Sequence, residues 1–304
     1  MGLFRPARRK FRFWWENRRR WQSLDALRSD DVLDKGVAIG IRSDGVFLEV
    51  PDGRRFFWEP REKGSLLGIP YTGDFEPSET KLLSSLVRPG DTVLDIGANF
   101  GWYTTLFSRL VGDTGRVVAF EPVPPTFREL ERNLALNGHP RNVRAHRLAL
   151  GDRQGEVALH VPTWLWLGPA FASAVRQHGG PHVTYVSPMN TLDHFLERNR
   201  CERPVDLVKC DVEGGELAIL RGGRGLLLSE TPPIWFLEVQ EGSTVPFGYR
   251  PADLIAYLRE HRYEGYYWNE ERLLPLPASG SLPAYNFLFA IPDLHRARIP
   301  EIPG

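Results

Sequence analysis

The chain has 304 residues, 42% of them hydrophobic, and its 38 basic and 38 acidic side chains leave no formal net charge. That is enough for one large domain, or one domain with a small appendage, and it gives no global electrostatic argument for a nucleic-acid partner. There is no apolar run of transmembrane length and no signal-peptide core, so no membrane span and a cytoplasmic location are expected.

Residues 1–30 read as a basic aromatic arm. Within residues 1–20, Arg5, Arg8, Arg9, Lys10, Arg12, Arg18, Arg19 and Arg20 stand against the single acid Glu16, interleaved with Phe4, Phe11, Phe13, Trp14 and Trp15, and Trp21 follows. Such a segment suits either a leader packed by a partner or peripheral contact of residues 1–21 with an anionic membrane surface. Pro6 stands where a myristoylation signal needs Ser or Thr. Residues 31–75 read as a small β-rich cap. Apolar runs at Val37–Ile39, Val46–Val50 and Arg54–Trp58 are separated by Asp44-Gly45 and Pro51-Asp52-Gly53, which are hairpin turn signals.

Residues 76–292 alternate helix and strand. A helix from Pro77 to Val87 ends at Pro89-Gly90. Val93, Leu94 and Ile96 then form a short run suited to a strand buried on both faces. The run stops at Gly97-Ala98-Asn99-Phe100-Gly101, two residues past Asp95, and helical spacing begins at Trp102. Strand, glycine turn and helix let a backbone approach a nucleotide closely. The carboxylate two residues before the first glycine would repel a pyrophosphate and attract a ligand carrying an ammonium and a sulfonium. Asn99 tolerates a left-handed backbone. Glu121, at the end of the next apolar run, is placed for both hydroxyls of a ribose. Asp95, Gly97, Asn99, Gly101 and Glu121 together ask for S-adenosyl-L-methionine. NAD fits them less well.

Pro124-Pro125 opens a helix closed by Asn137-Gly138. A third strand, Val143 to Leu150, ends at Asp152, which either meets the adenine amino group or is an ordinary turn residue. After a strand at Val157–Val161, residues 162–189 read as irregular. Trp164, Trp166, His178 and His182 in it suit an acceptor lid, or tryptophans that pack the loop down. Thr191 or Asn190 caps a helix through Glu197. The fourth core strand, Val205 to Cys210, carries Asp211, Glu213 and Glu216 past its end, where open parallel sheets bind ligands. Glu216 reads as an acid of the following helix's first turn. Ile234–Leu237 ends at Glu238, Asp253–Glu260 is helical, and Tyr263–Trp268 with Asn286–Ile291 forms a closing pair. Residues 293–304 read as a tail. Cys201 and Cys210 lack metal-ligand spacing and read as reduced and structural.

In this order, Gly73-Asp74-Phe75-Glu76, the Asp95–Gly101 loop, Phe120-Glu121-Pro122, Thr191-Leu192-Asp193, Val208–Glu216 and Glu238 resemble the FkbM-type methyltransferases over about Tyr71 to Glu241. The resemblance implies an α/β, class I methyltransferase (Rossmann-like) fold. Its seven-stranded, mostly parallel sheet carries helices on both faces, and its last strand is antiparallel. It also implies mostly O-methylation of sugar, glycan or natural-product hydroxyls, with cofactor held by Asp95, Gly97, Asn99, Gly101 and Glu121. Asp211 and Glu213 would border the reacting methyl. Cys210 stands where the family has an aliphatic residue, and the family pattern accounts for neither the aromatic lid nor the arm.

An alcohol acceptor must lose its proton to a carboxylate or histidine, or to a base helped by a divalent cation such as Mg2+ on oxygen ligands. The expected catalytic set is Asp211, Glu213, Glu238 and His182, with Asp211 and Glu238 the candidate metal ligands. Rival readings are a non-catalytic or membrane-docked scaffold and a nicotinamide oxidoreductase. An Asn-Pro-Pro-Tyr signature of N-methyltransferases is absent after the fourth strand.

Overall fold

Asp44-Gly45 reverses the chain as its turn chemistry asks. In the computed structural model, which describes residues 35–58, 69–163, 172–175, 180–199, 203–277 and 282–299, strand β1 (Ala38–Arg42) pairs antiparallel with β2 (Gly45–Glu49), and β2 with β3 (Arg55–Phe57). This cap is not a separate body. Leu48, Val50 and Phe56 are buried in the same apolar cluster as the main domain. Phe56 stacks on Trp102 with ring centroids 5.1 Å apart, and the Phe57 backbone N–H donates to Asn133 Oδ1 at 2.8 Å.

A short helix α1 (Ile69–Thr72) and α2 (Pro77–Leu86) lead into β4 (Thr92–Ile96), α3 (Trp102–Val111), β5 (Arg116–Phe120), α4 (Pro124–Leu136) and β6 (Val143–His146). Next come β7 (Ala149–Leu150), β8 (Gly155–Pro162), β9 (His182–Asn190), α5 (Leu192–Arg198), β10 (Leu207–Cys210), α6 (Glu216–Gly222), α7 (Arg224–Leu227) and β11 (Ile234–Glu238). The described chain closes with α8 (Glu241–Thr244), a 3-10 turn at Val245–Phe247, α9 (Pro251–Glu260), β12 (Glu264–Trp268), β13 (Leu273–Pro275), β14 (Asn286–Ala290) and α10 (Pro292–His295).

The main sheet runs β13-β12-β14-β11-β10-β4-β5-β6. Strands β6, β5, β4, β10 and β11 are parallel and β14 is antiparallel to β11. With β12 these make the expected seven strands. The three-residue β13 adds an eighth at the edge, too short to register in the sequence. This is the class I methyltransferase arrangement.

Strand alternation sorts the core into two layers. Val93, Val117, Leu207 and Phe236 pack toward α2, α3 and α4, while Leu94, Ile96, Val118, Val208 and Cys210 pack toward α5, α6 and α9. Asp95 and Lys209 share their strands' first face and are directly paired in register. That places a carboxylate and an ammonium side by side under α3.

Two expectations change. Residues 182–189 are not irregular: β9 pairs with β8 along its whole length, from Gly155↔Met189 to Pro162↔His182. This ribbon is largely exposed, so it lacks the strict apolar alternation that marks a half-buried strand. The tail is also partly ordered. Ile299 is buried, and Arg298 pairs with Asp91 and, at 3.4 Å, with Asp206, at the foot of β4 and β10. The basic arm, Trp164, Trp166, His178, Cys201 and residues 300–304 lie outside the described residues. Among the described residues no helix is long and apolar enough to cross a membrane.

Candidate active site

The glycine turn after β4 is built as its sequence predicts. Gly97, Asn99 and Gly101 have φ of 76°, 50° and 93°, the left-handed region open to glycine and tolerated by asparagine. Close packing adds to this, through backbone at Gly97 and through a side-chain end at Gly101. A Cβ at Gly97 would meet the Asp211 carbonyl oxygen at 1.9 Å, and one at Gly101 would meet Leu130 Cδ1 at 2.7 Å.

Glu121, past the end of β5, accepts hydrogen bonds from the backbone N–H of Asn99 at 3.0 Å and of Val123 at 2.9 Å. The carboxylate therefore ties the glycine turn to the second strand's end, beside the place a ribose would take. Burial pushes its pKa up to about 7, against the pull of those two N–H donors.

Asp95 departs from its expected role. It has no exposed surface. Its Oδ2 accepts from Thr104 Oγ1 at 2.5 Å, and its Oδ1 lies 3.8 Å from Lys209 Nζ. The strand alternation that buries β4 on both faces turns this side chain into the layer beneath α3, where Thr104 and Lys209 hold it. Burial raises its pKa, and Lys209 and the Thr104 hydroxyl oppose the rise.

Lys209 is the residue that the sequence reading passed over. Its Nζ donates to the Gly97 carbonyl at 3.0 Å, lies 3.9 Å from Asp211 Oδ2 and sits 5.4 Å from the centroid of the Tyr103 ring. Burial acts to lower its pKa, but Asp211, Asp95 and Glu76 outweigh burial and hold the ammonium above its ordinary value. The signal was available in Leu207-Val208-Lys209-Cys210, where a lysine interrupts a buried strand. Lysine is almost never buried without a partner.

Asp211, Glu213 and Glu238 come together past the ends of β10 and β11, with one carboxylate oxygen of each within 4.8 Å of the others. Two of the three are held by neutral side chains. Gln240 Nε2 donates to Glu238 Oε1 at 2.5 Å, Ser243 Oγ to Glu213 Oε2 at 3.3 Å, and Ser173 Oγ to the Glu213 carbonyl at 3.0 Å. Glu213 itself has φ of 55°. Glu216 is an acid of the first turn of α6, as expected, and also the clasp of this loop. Its Oε1 accepts from Val212 N at 3.0 Å and Gly214 N at 3.3 Å, and Tyr249 Oη donates to its Oε2 at 3.3 Å.

The remaining candidates lie on other elements. His182, at the start of β9, lies ring to ring with His160 at 5.3 Å. Asp152 is exposed beside Arg153 at 3.6 Å. Glu76 was noted only as part of a sequence segment. It has φ of 49° at the start of α2 and accepts from Tyr103 Oη at 2.9 Å.

The fold and this glycine turn define a class I methyltransferase. A family model described as the methyltransferase FkbM domain matches residues 95–264, more than half of the chain, and the protein belongs to that family, whose cofactor is S-adenosylmethionine. Among curated relatives, methyltransferase sdnD of Sordaria araneosa is 30% identical over 155 residues, which are 43% of this chain and 59% of that protein. Methyltransferase 1 of Beauveria bassiana is 30% identical over 150 residues, 44% and 59% respectively. The hexuronic acid methyltransferase AglP of Haloferax volcanii is 28% identical over 157 residues, 51% of this chain and 59% of that one. The chain thus spans about three fifths of the length of these relatives. A solved FkbM methyltransferase from Methylobacillus flagellatus overlaps 74% of this chain and 52% of its own, at 14% identity and a TM-score of 0.39.

Proposed function

We propose that this protein transfers a methyl group from S-adenosylmethionine to a hydroxyl of a sugar, glycan or natural-product acceptor. The observation that carries the reading is the backbone contact between Gly97 and Asp211, which sets the cofactor turn directly against the Asp211–Glu213–Glu238 cluster. The residues fit the cofactor. The turn leaves no room for a side chain at Gly97, Glu121 stands at the end of the second strand, and the surrounding carboxylates favour a cationic ligand over a pyrophosphate. The name of the hexuronic acid methyltransferase AglP supports a sugar-type acceptor.

When bound, S-adenosylmethionine supplies an already activated methyl, so alignment is the main task of the protein. Gly97, Asn99 and Gly101 shape the turn, and Glu121 offers acceptors for ribose hydroxyls. Asp211 either receives the acceptor's proton itself or would, together with Glu213 and Glu238, hold a divalent cation that lowers the hydroxyl's pKa. Asn133 Nδ2, donating to the Phe100 carbonyl at 2.8 Å, keeps the turn anchored to α4.

Calorimetric titration with S-adenosylmethionine and S-adenosylhomocysteine, with NADH as control, tests the reading on the wild type and on Glu121→Ala. Both adenosyl ligands are expected to bind the wild type, and the substitution is expected to weaken both. Binding of NADH alone would overturn the reading in favour of an oxidoreductase, and binding of none would favour a scaffold.

A further inference from the structure

The cofactor's aminoacyl tail carries an ammonium, which calls for a carboxylate acceptor. Asp95, the acid that the sequence offers, is sealed behind the turn. Asp211, Glu213 and Glu238 face one another in their own cluster. Among the described residues, Glu76 is a further carboxylate tied to the elements that shape the cofactor turn.

Three contacts bring it there. Phe75 packs edge-on against Phe100 of the turn at 5.5 Å and against Trp102 at 5.9 Å. Thr80 Oγ1 accepts from Trp102 Nε1 at 3.0 Å and donates to the Phe75 carbonyl at 2.8 Å, clamping the segment to the start of α3. Tyr103 Oη donates to Glu76 Oε2 at 2.9 Å, and the same Tyr103 ring lies under the Lys209 ammonium that holds the Gly97 carbonyl. Glu76 is thereby fixed through one phenol to the elements that shape the turn. Its other carboxylate oxygen is not used in that bond. Its left-handed backbone at φ 49°, in a residue with a full side chain, shows that the packing outweighs a local preference.

Charge balance points the same way. Lys209 is shared between Asp95 and Asp211 at 3.8 and 3.9 Å, so one ammonium faces two carboxylates before Glu76 is counted. Burial, then Asp211 and Glu79, push the Glu76 pKa up to about 7, against Lys209 and the Tyr103 hydrogen bond.

We infer that Glu76, oriented by Tyr103, receives the ammonium of the cofactor's aminoacyl tail and is the residue that selects an adenosyl amino acid over a neutral adenosyl thioether. The inference rests on the methyltransferase reading and adds to it a binding residue that also acts as a selectivity filter.

The test compares three ligands by calorimetry on the wild type, Glu76→Gln and Tyr103→Phe. S-adenosylmethionine and S-adenosylhomocysteine carry the ammonium, and 5′-methylthioadenosine lacks the whole aminoacyl tail. Glu76→Gln keeps size and shape. It is expected to weaken the first two ligands by about 10- to 100-fold, as loss of a charge-assisted bond does, while leaving methylthioadenosine within about twofold, as expected where the lost contact is absent. Tyr103→Phe is expected to give the same pattern with a smaller loss. Equal weakening of all three ligands would mean that Glu76 only supports the fold and would overturn the inference, as would no weakening at all. If the wild type bound none of the three, the methyltransferase reading itself would fall, a result distinct from either of these.

Discussion

Gly97 and Asp211 touch backbone to backbone, so closely that a Cβ on Gly97 would stand 1.9 Å from the Asp211 carbonyl oxygen. The cofactor turn and the acid loop therefore cannot move independently. Gly97→Ala combines that clash with a left-handed φ of 76°, and each effect alone costs about 1–3 kcal/mol. The expected result is a substantial fall in Tm with loss of S-adenosylmethionine binding. Asn99→Gly is the contrasting case. Its φ of 50° suits glycine, and Glu121 contacts only its backbone N–H, so thermal melting and titration should both stay close to wild type.

Lys209 is buried among acids, and its removal leaves Asp95 and Asp211 facing each other without a cation. Breaking a buried pair from one side costs about 3–5 kcal/mol. Lys209→Met should therefore destabilise strongly, whereas Lys209→Met combined with Asp95→Asn should cost clearly less than the two single changes summed. Chemical denaturation of the four proteins of this cycle measures the coupling. Strict additivity would show that the ammonium does not act through Asp95.

Much of this was legible in the residues. The β4 run, the glycine turn with asparagine at its middle, Glu121 and the Asp211–Glu216 loop each carry a local rule that tertiary structure did not override. Thr191 caps α5 by accepting from His194 N at 3.3 Å, as read. What escaped notice depends on which way a side chain points in three dimensions. Asp95 looked like a ligand contact because it ends a strand, yet the pleat turns it inward to Thr104 and Lys209. Lys209 and Glu76 look ordinary in sequence and acquire meaning only when Tyr103, from α3, is laid between them. Ribbon β8–β9 was half seen because its exposed strand lacks a buried face to impose alternation.

Glu216 gives a pH dependence with a definite sign. Burial is the largest cause of its pKa standing at about 7, above the usual value near about 4.3 of an unfolded chain. A carboxyl whose folded pKa is raised binds protons better in the native state, so its contribution to stability is fully present below about 4 and is lost as pH rises toward 7. His146 and His295, whose pKa values burial lowers, act in the opposite sense on the acid side, so wild type alone is ambiguous and a difference is required. Glu216→Gln keeps an acceptor for Val212 and Gly214 and cannot ionise. Its Tm relative to wild type should rise by at least about 2 °C between pH 5.5 and pH 8. A difference that stays flat with pH would show that Glu216 is ionised in the folded protein throughout.

Asp211, Glu213 and Glu238 each offer a carboxylate oxygen within 4.8 Å of the others. Lys209 lies 3.9 Å from Asp211 on one side, Ser243 Oγ donates to Glu213, and Gln240 Nε2 donates to Glu238. Oxygen-only ligands of this kind suit a hard divalent ion. Mg2+ or Mn2+ at millimolar concentration is therefore expected to raise the Tm of the wild type, because an ion that binds only the native state stabilises it by mass action. Asp211→Asn and Glu238→Gln should each remove that response, while titration with S-adenosylmethionine stays within a few-fold of wild type because neither carboxylate lies in the glycine turn. A wild-type Tm indifferent to both ions and to added chelator would assign proton removal to the Asp211 carboxylate itself. The two routes can then be separated before any acceptor is known.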